Sequence, residues 1–120
     1  MKKNIILEKS FDYALSIIKL SKILDEKNEY VLSKQLLRSG TSVGANIRES
    51  NNTRTKKDFI HKMNIAQKEC DESLYWLELL HKSKIIQDND FENLFKKGQE
   101  IHFIVKRIIL TSQNRMNNPL

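Results

Sequence analysis

Apolar positions recur every three or four residues through four stretches of this chain, separated by short polar breaks. The first stretch predicts a helix from about Asn4 to Glu26, with Leu7, Phe11, Ala14, Leu15 and Ile18 sharing its core face. Tyr13, Ile17, Leu20 and Leu24 widen its apolar arc well past one stripe. Lys27-Asn28-Glu29 is the polar break that makes the first turn. The second helix is expected from about Tyr30 to Asn51, with Leu32, Leu36, Val43 and Ile47 toward the core. Gly40 and Gly44 stand in its middle with Ser39, Ser42 and Ala45 around them. A helical glycine costs about 1 kcal/mol relative to alanine, so two of them four apart point to a neighbouring backbone that comes close. A phosphate-binding loop is the rival reading. Gly40-Thr-Ser-Val-Gly44 lacks the GxxxxGK[ST] spacing, and no strand pattern precedes it.

The third helix is expected from about Thr55 to Lys82. Thr55 stands three residues before Asp58, a capping-box-like start. Phe59, Met63, Ala66, Cys70, Leu74, Leu77 and Leu80 then step by three or four, the stripe a bundle requires. Asp88 or Asp90 is the expected cap of the fourth helix, which runs to about Asn114 before a frayed tail at 115–120. Phe91, Leu94, Gly98, Ile101, Val105 and Ile108 form its core stripe. Acids at its start and Lys106, Arg107 and Arg115 near its end match the helix dipole.

Four periodic segments joined by short breaks predict an all-α, antiparallel up-down-up-down four-helix bundle forming one domain over 1–120. Three Gly and one Pro in 120 residues are too few for turn-rich β architectures. The single Cys70 forms no intrachain disulfide, and no apolar run reaches the length of about 20 residues that spans a membrane. The opening residues are too short in apolar core for a secretory signal, so a cytoplasmic protein is expected.

The run Arg38-Ser-Gly-Thr-Ser-Val-Gly-Ala-Asn-Ile-Arg-Glu-Ser50 and the run Asp71-Glu-Ser-Leu-Tyr-Trp-Leu-Glu-Leu-Leu80 resemble the signature of the 23S rRNA intervening-sequence proteins. Related accessory variability determinant proteins of diversity-generating retroelements share that fold. The resemblance covers nearly the whole chain and implies a four-helix bundle that assembles as a ring-like homopentamer. It also implies a nucleic-acid setting: family members are encoded within or near ribosomal RNA insertions, and the retroelement relatives are basic rings that engage a reverse transcriptase and nucleic acid.

The residues independently hold more apolar surface than one bundle needs. Ile65, Trp76 and Leu79 form a second stripe on the third helix, flanked by Glu69 and Glu72. Phe103 and Leu110 lie off the main arc of the fourth, and Ile17, Leu20 and Leu24 off that of the first. Large exposed apolar patches mark interfaces, so Ile65, Glu69, Glu72, Trp76, Leu79, Phe103 and Leu110 are candidate contacts in a homo-oligomer. Arg38 is the first candidate to pair with the two glutamates across that contact, the alternative being an Arg38–Glu72 pair within one subunit.

No catalytic residue, metal site or cofactor site is read. Glu78-Leu-Leu-His81 and Asp58-Phe-Ile-His61 echo a di-iron half-motif, but both fall on one helix, about 30 Å apart at 1.5 Å rise per residue. Cys70 lies mid-stripe and reads as a small core hydrophobe. There is no Ser-His-Asp arrangement and no nucleotide fingerprint. The formal charge is +6, from 21 Lys+Arg against 15 Asp+Glu. Residues 1–60 hold 12 of those bases and 7 of the acids. Arg48, Arg54, Lys56, Lys57 and Lys62 cluster about the second turn, against Glu49 and Asp58. Bases beside a helix start can hold phosphates. No stacking aromatics are expected beside the cluster, so a sequence-reading single-strand site is not expected, and any binding should be a salt-sensitive contact to an RNA or DNA backbone. The other class is an oligomeric protein-interaction scaffold whose charge only keeps it soluble.

Overall fold

The computed structural model describes residues 4–117. They form four helices, α1 (Ile5–Glu26), α2 (Tyr30–Ser50), α3 (Lys56–Lys82) and α4 (Asp88–Asn117), and no strand among the described residues. The bundle measures 54 × 26 × 21 Å. Each helix packs on its neighbours in sequence, and α1 closes against α4. Cross-helix partners run in descending order. Ser10 of α1 lies against Gly44 of α2, Ile17 against Gly40, and Ser21 bonds Ser33. Glu49 of α2 pairs with Lys62 of α3, and Arg38 with Glu69 and Glu72.

Helix ends follow local chemistry. Asn4 Oδ1 accepts the Leu7 N–H at 3.3 Å to cap α1. Thr55 Oγ1 accepts the Asp58 N–H at 3.1 Å to cap α3, as the Thr-x-x-Asp spacing predicted. α1 and α3 close alike: Asn28 (φ 63°) and Lys84 (φ 64°) turn left-handed, and the next N–H donates back to Leu24 and Leu80 respectively. α4 starts at Asp88, so Asp88 and Asp90 are acids of its first turn rather than caps. Its helix continues through 115–117, where a frayed tail was expected; 118–120 lie outside the described residues.

The core faces of α2, α3 and α4 are nearly those predicted. Leu36, Val43, Ile47, Met63, Ala66, Cys70, Leu74, Leu77, Leu80, Leu94, Ile101 and Val105 are buried. Leu32, Phe59, Phe91 and Ile108 are half-buried beside them, with Ile60 and Ile109 taking the inner positions. A strict three-four stripe drifts on a long straight helix, which shifts the buried residue by one toward its ends.

α1 is a correction. Its core face is Ile6, Ser10, Tyr13, Ile17, Leu20, Ser21 and Leu24, not Leu7, Phe11, Ala14, Leu15 and Ile18. The two arcs lie about 110° apart at 100° per residue, and both are periodic. Phe11 is 62% exposed and Leu15 47%. The buried arc won because its polar atoms find partners. Tyr13 Oη donates to Ser73 Oγ at 2.8 Å, while Ser73 Oγ donates to the Cys70 carbonyl at 2.7 Å. Ser33 Oγ donates to the Ser21 carbonyl at 3.0 Å. The small residues of α2 decide the distance of approach. A Cβ on Gly40 would stand 2.9 Å from both γ carbons of Ile17, and one on Gly44 would stand 3.3 Å from the Ser10 carbonyl oxygen. The two glycines are packing devices, as their spacing predicted.

Candidate functional site

At the end of the bundle where α2 turns into α3, the last turns of α4 come alongside. A groove of about 830 Å³ opens there. Arg54, Thr55 and Lys56 form one wall, and Phe103, Arg107, Thr111 and Arg115 of α4 form the other. Phe103, Arg107, Thr111 and Arg115 repeat every four residues, which sets them on one helix face. Ser50, Asn51 and Thr53 edge the turn, while Phe59, Ile104 and Ile108 make the floor. Among the described residues, four cations line the groove and no carboxylate does. All four cations are exposed, so each keeps its hydration until a polyanion displaces it. α3 begins in this wall, and the first N–H groups of a helix have no partner within it. Arg107 lies over the Phe103 ring, its guanidinium carbon 5.8 Å from the ring centroid.

The predicted basic cluster is thus only partly one site. Arg54 and Lys56 enter the groove. Lys57 is exposed on the first turn of α3 and does not line it. Lys62 Nζ is tied to Glu49 at 2.7 Å. Arg48 lies on another side, at the edge of an apolar groove between α1 and α2. Arg107 and Arg115 are the bases that sequence reasoning missed as a site, having read them only as complements to the helix dipole. The expectation that no aromatic accompanies the basic residues is overturned: Phe59 and Phe103 line the same groove. Phe59 follows Lys57 by two residues and was legible there, whereas the distance in sequence between turn and α4 concealed Phe103, although a closed bundle returns the end of its fourth helix to the start of its third.

The two glutamates that flank the second stripe of α3 find a basic partner within the subunit. Arg38 donates to Glu69 Oε2 at 2.8 Å and also to Glu72 Oε2, whose same oxygen accepts Trp76 Nε1–H at 3.0 Å. The Trp76 hydrogen bond and then Arg38 hold the Glu72 carboxyl below its ordinary range, while Glu72 first and Glu69 second raise Arg38. Arg38 therefore meets both glutamates in its own chain, where a pairing across subunits was the first expectation. Trp76 is half-buried against the core, Ile65 is half-buried, and Leu79 is 38% exposed. Phe103 and Leu110 are exposed on α4.

The larger apolar surface lies elsewhere. Leu7, Phe11, Ala14, Leu15 and Ile18 of α1 and Thr41, Gly44 and Ala45 of α2 line a groove of about 1020 Å³, rimmed by Glu8, Asp12 and Arg48. His81 Nε2 pairs with Asp88 at 2.7 Å beside a stacked Phe91. Among the described residues, no three His, Cys, Asp or Glu side chains gather as metal ligands, and no helix is long and apolar enough to cross a membrane.

The family model of the 23S rRNA-intervening sequence proteins matches residues 2–107. The chain belongs to that family. A crystal structure from Bacteroides thetaiotaomicron, described as a protein of unknown function from the S23 ribosomal protein family, is 44% identical. It superposes with a TM-score of 0.84 over 87% of this chain and 97% of its own. No curated protein matches the chain. The family match takes in Arg54, Lys56, Phe103 and Arg107 of the basic groove and ends before Arg115.

Proposed function

We propose that this protein is a non-enzymatic, oligomeric nucleic-acid-binding bundle, and that the basic groove between the α2–α3 turn and the end of α4 is where it meets the phosphate backbone. The observation that carries the reading is the convergence of Arg54, Lys56, Arg107 and Arg115 from two distant segments on one groove without an acid. Surface cations usually alternate with carboxylates; these four do not. The family's connection with 23S rRNA insertions, and the kinship with retroelement accessory proteins expected from the sequence, add a nucleic-acid setting. Descending cross-helix partners support the antiparallel up-down-up-down arrangement. The uncovered α1–α2 groove supports self-association, for which the family resemblance implies a ring of five in the cytoplasm. The competing class, a protein-interaction scaffold, rests on that same apolar groove.

Binding of labelled structured RNA and duplex DNA across a salt series separates the two classes. The expected result is affinity that falls steeply with salt. Replacing Arg54, Lys56 or Arg115 by Ala should each flatten log K against log salt by about 0.7–0.9, the loss of one phosphate contact. The weakening should be similar across sequences, because phosphate contacts carry no code. Lys57→Ala and Arg48→Ala, outside the groove, should leave the slope unchanged. Absence of binding at low salt leaves the scaffold reading.

A further inference from the structure

We infer that the basic groove takes single-stranded nucleic acid, stacking one unpaired base on Phe103 while Arg54, Lys56 and Arg115 hold the flanking phosphates. This rests on the nucleic-acid reading above and names the strand form. Phe103 is 62% exposed in the wall of a groove otherwise edged by cations and hydroxyls. The ring stands above the apolar floor of Phe59, Ile104 and Ile108 yet stays mostly open, and its free π-face suits a base. Arg107 covers part of the ring from 5.8 Å. A base entering there meets a ring and a guanidinium together, and both planes accept stacking. A duplex hides its base faces within its own stack and offers Phe103 only sugar and phosphate. An unpaired strand offers a π-face at every nucleotide. The groove is open along its length, so a strand can lie in it with neighbouring nucleotides outside. Every base has a π-face, so the preference is for strand form over sequence.

The test uses the full chain, a labelled oligouridine strand and a labelled RNA duplex of equal length. The strand should bind more tightly than the duplex at equal salt. Phe103→Ala should weaken strand binding roughly 5- to 150-fold, the worth of one stacked base. It should leave duplex affinity and both salt slopes unchanged. Phe103→Trp should restore strand affinity. Because the ring is mostly exposed, these variants keep the bundle, which circular dichroism checks. If Phe103→Ala leaves strand affinity unchanged while Arg54→Ala and Lys56→Ala lower it, stacking is refuted and the backbone reading stands. If Phe103→Ala instead lowers the oligomer mass without touching strand affinity, the ring packs on another copy and the inference fails. Binding to neither probe overturns both readings.

Discussion

Cys70 Sγ donates to the Gly98 carbonyl at 3.3 Å in the middle of the core. Burial pushes its thiol up to about 12, with the Asp71 charge adding to the shift, and burial raises the neighbouring Tyr13 phenol as well. An unfolded cysteine gives up its proton near about 8.5. Between those values the unfolded chain binds fewer protons than the folded one, so stability is intact below the window and falls as pH rises through it. The thermal midpoint, followed by circular dichroism, should therefore drop from about pH 8.5 upward. Cys70→Ala should begin with a lower midpoint but decline less steeply. A decline in that variant confined to above about pH 10 would belong to Tyr13, whose phenol is raised above its ordinary value, and an equally steep decline from about 8.5 would refute the role of Cys70. The place of Cys70 in the core stripe was legible in the sequence from its spacing. Its acceptor on α4 was not, because the pairing spans 28 residues and depends on how α3 and α4 meet.

α1 and α2 show how an element's buried face is chosen. Periodicity admitted two arcs on α1, and the one free of serines is the one that became exposed. The glycines of α2 were legible as a close-approach surface, yet their partner was not. Gly40→Ala gains about 1 kcal/mol of helix propensity, but its Cβ would stand 2.9 Å from Ile17, which is fully buried. Overpacking of that kind costs about 1–3 kcal/mol. The variant should lose up to about 2 kcal/mol in urea unfolding. In an Ile17→Ala background both γ carbons are gone and only the Cβ, 3.3 Å away, remains, so the same substitution should cost clearly less. Equal destabilisation in both backgrounds would mean that the contact with Ile17 is not what excludes a side chain at position 40.

The whole molecule places its basic groove at one end and its apolar groove along the side formed by α1 and α2. If the apolar side joins copies, replacing Phe11 and Leu15 together by Ser should lower the mass found by light scattering while helical content persists, since both side chains are already half open. A wild-type monomer at micromolar concentration would end the oligomer reading. An unchanged oligomer would move the contact to another face, such as the stretch of α4 carrying exposed Leu110. The sequence by itself determined four helices, the Thr55 cap of α3, the first two turns, most of the core faces of three helices and the role of the glycines. Those follow from local propensity and from a period that a single chain displays. Only the tertiary structure decided which arc of α1 is buried, that Arg38 satisfies Glu69 and Glu72 at home, and that Arg54 and Lys56 share a groove with Phe103, Arg107 and Arg115. The reason is physical: polar partners and free surface are properties of neighbours, and the packing of the four helices chooses the neighbours.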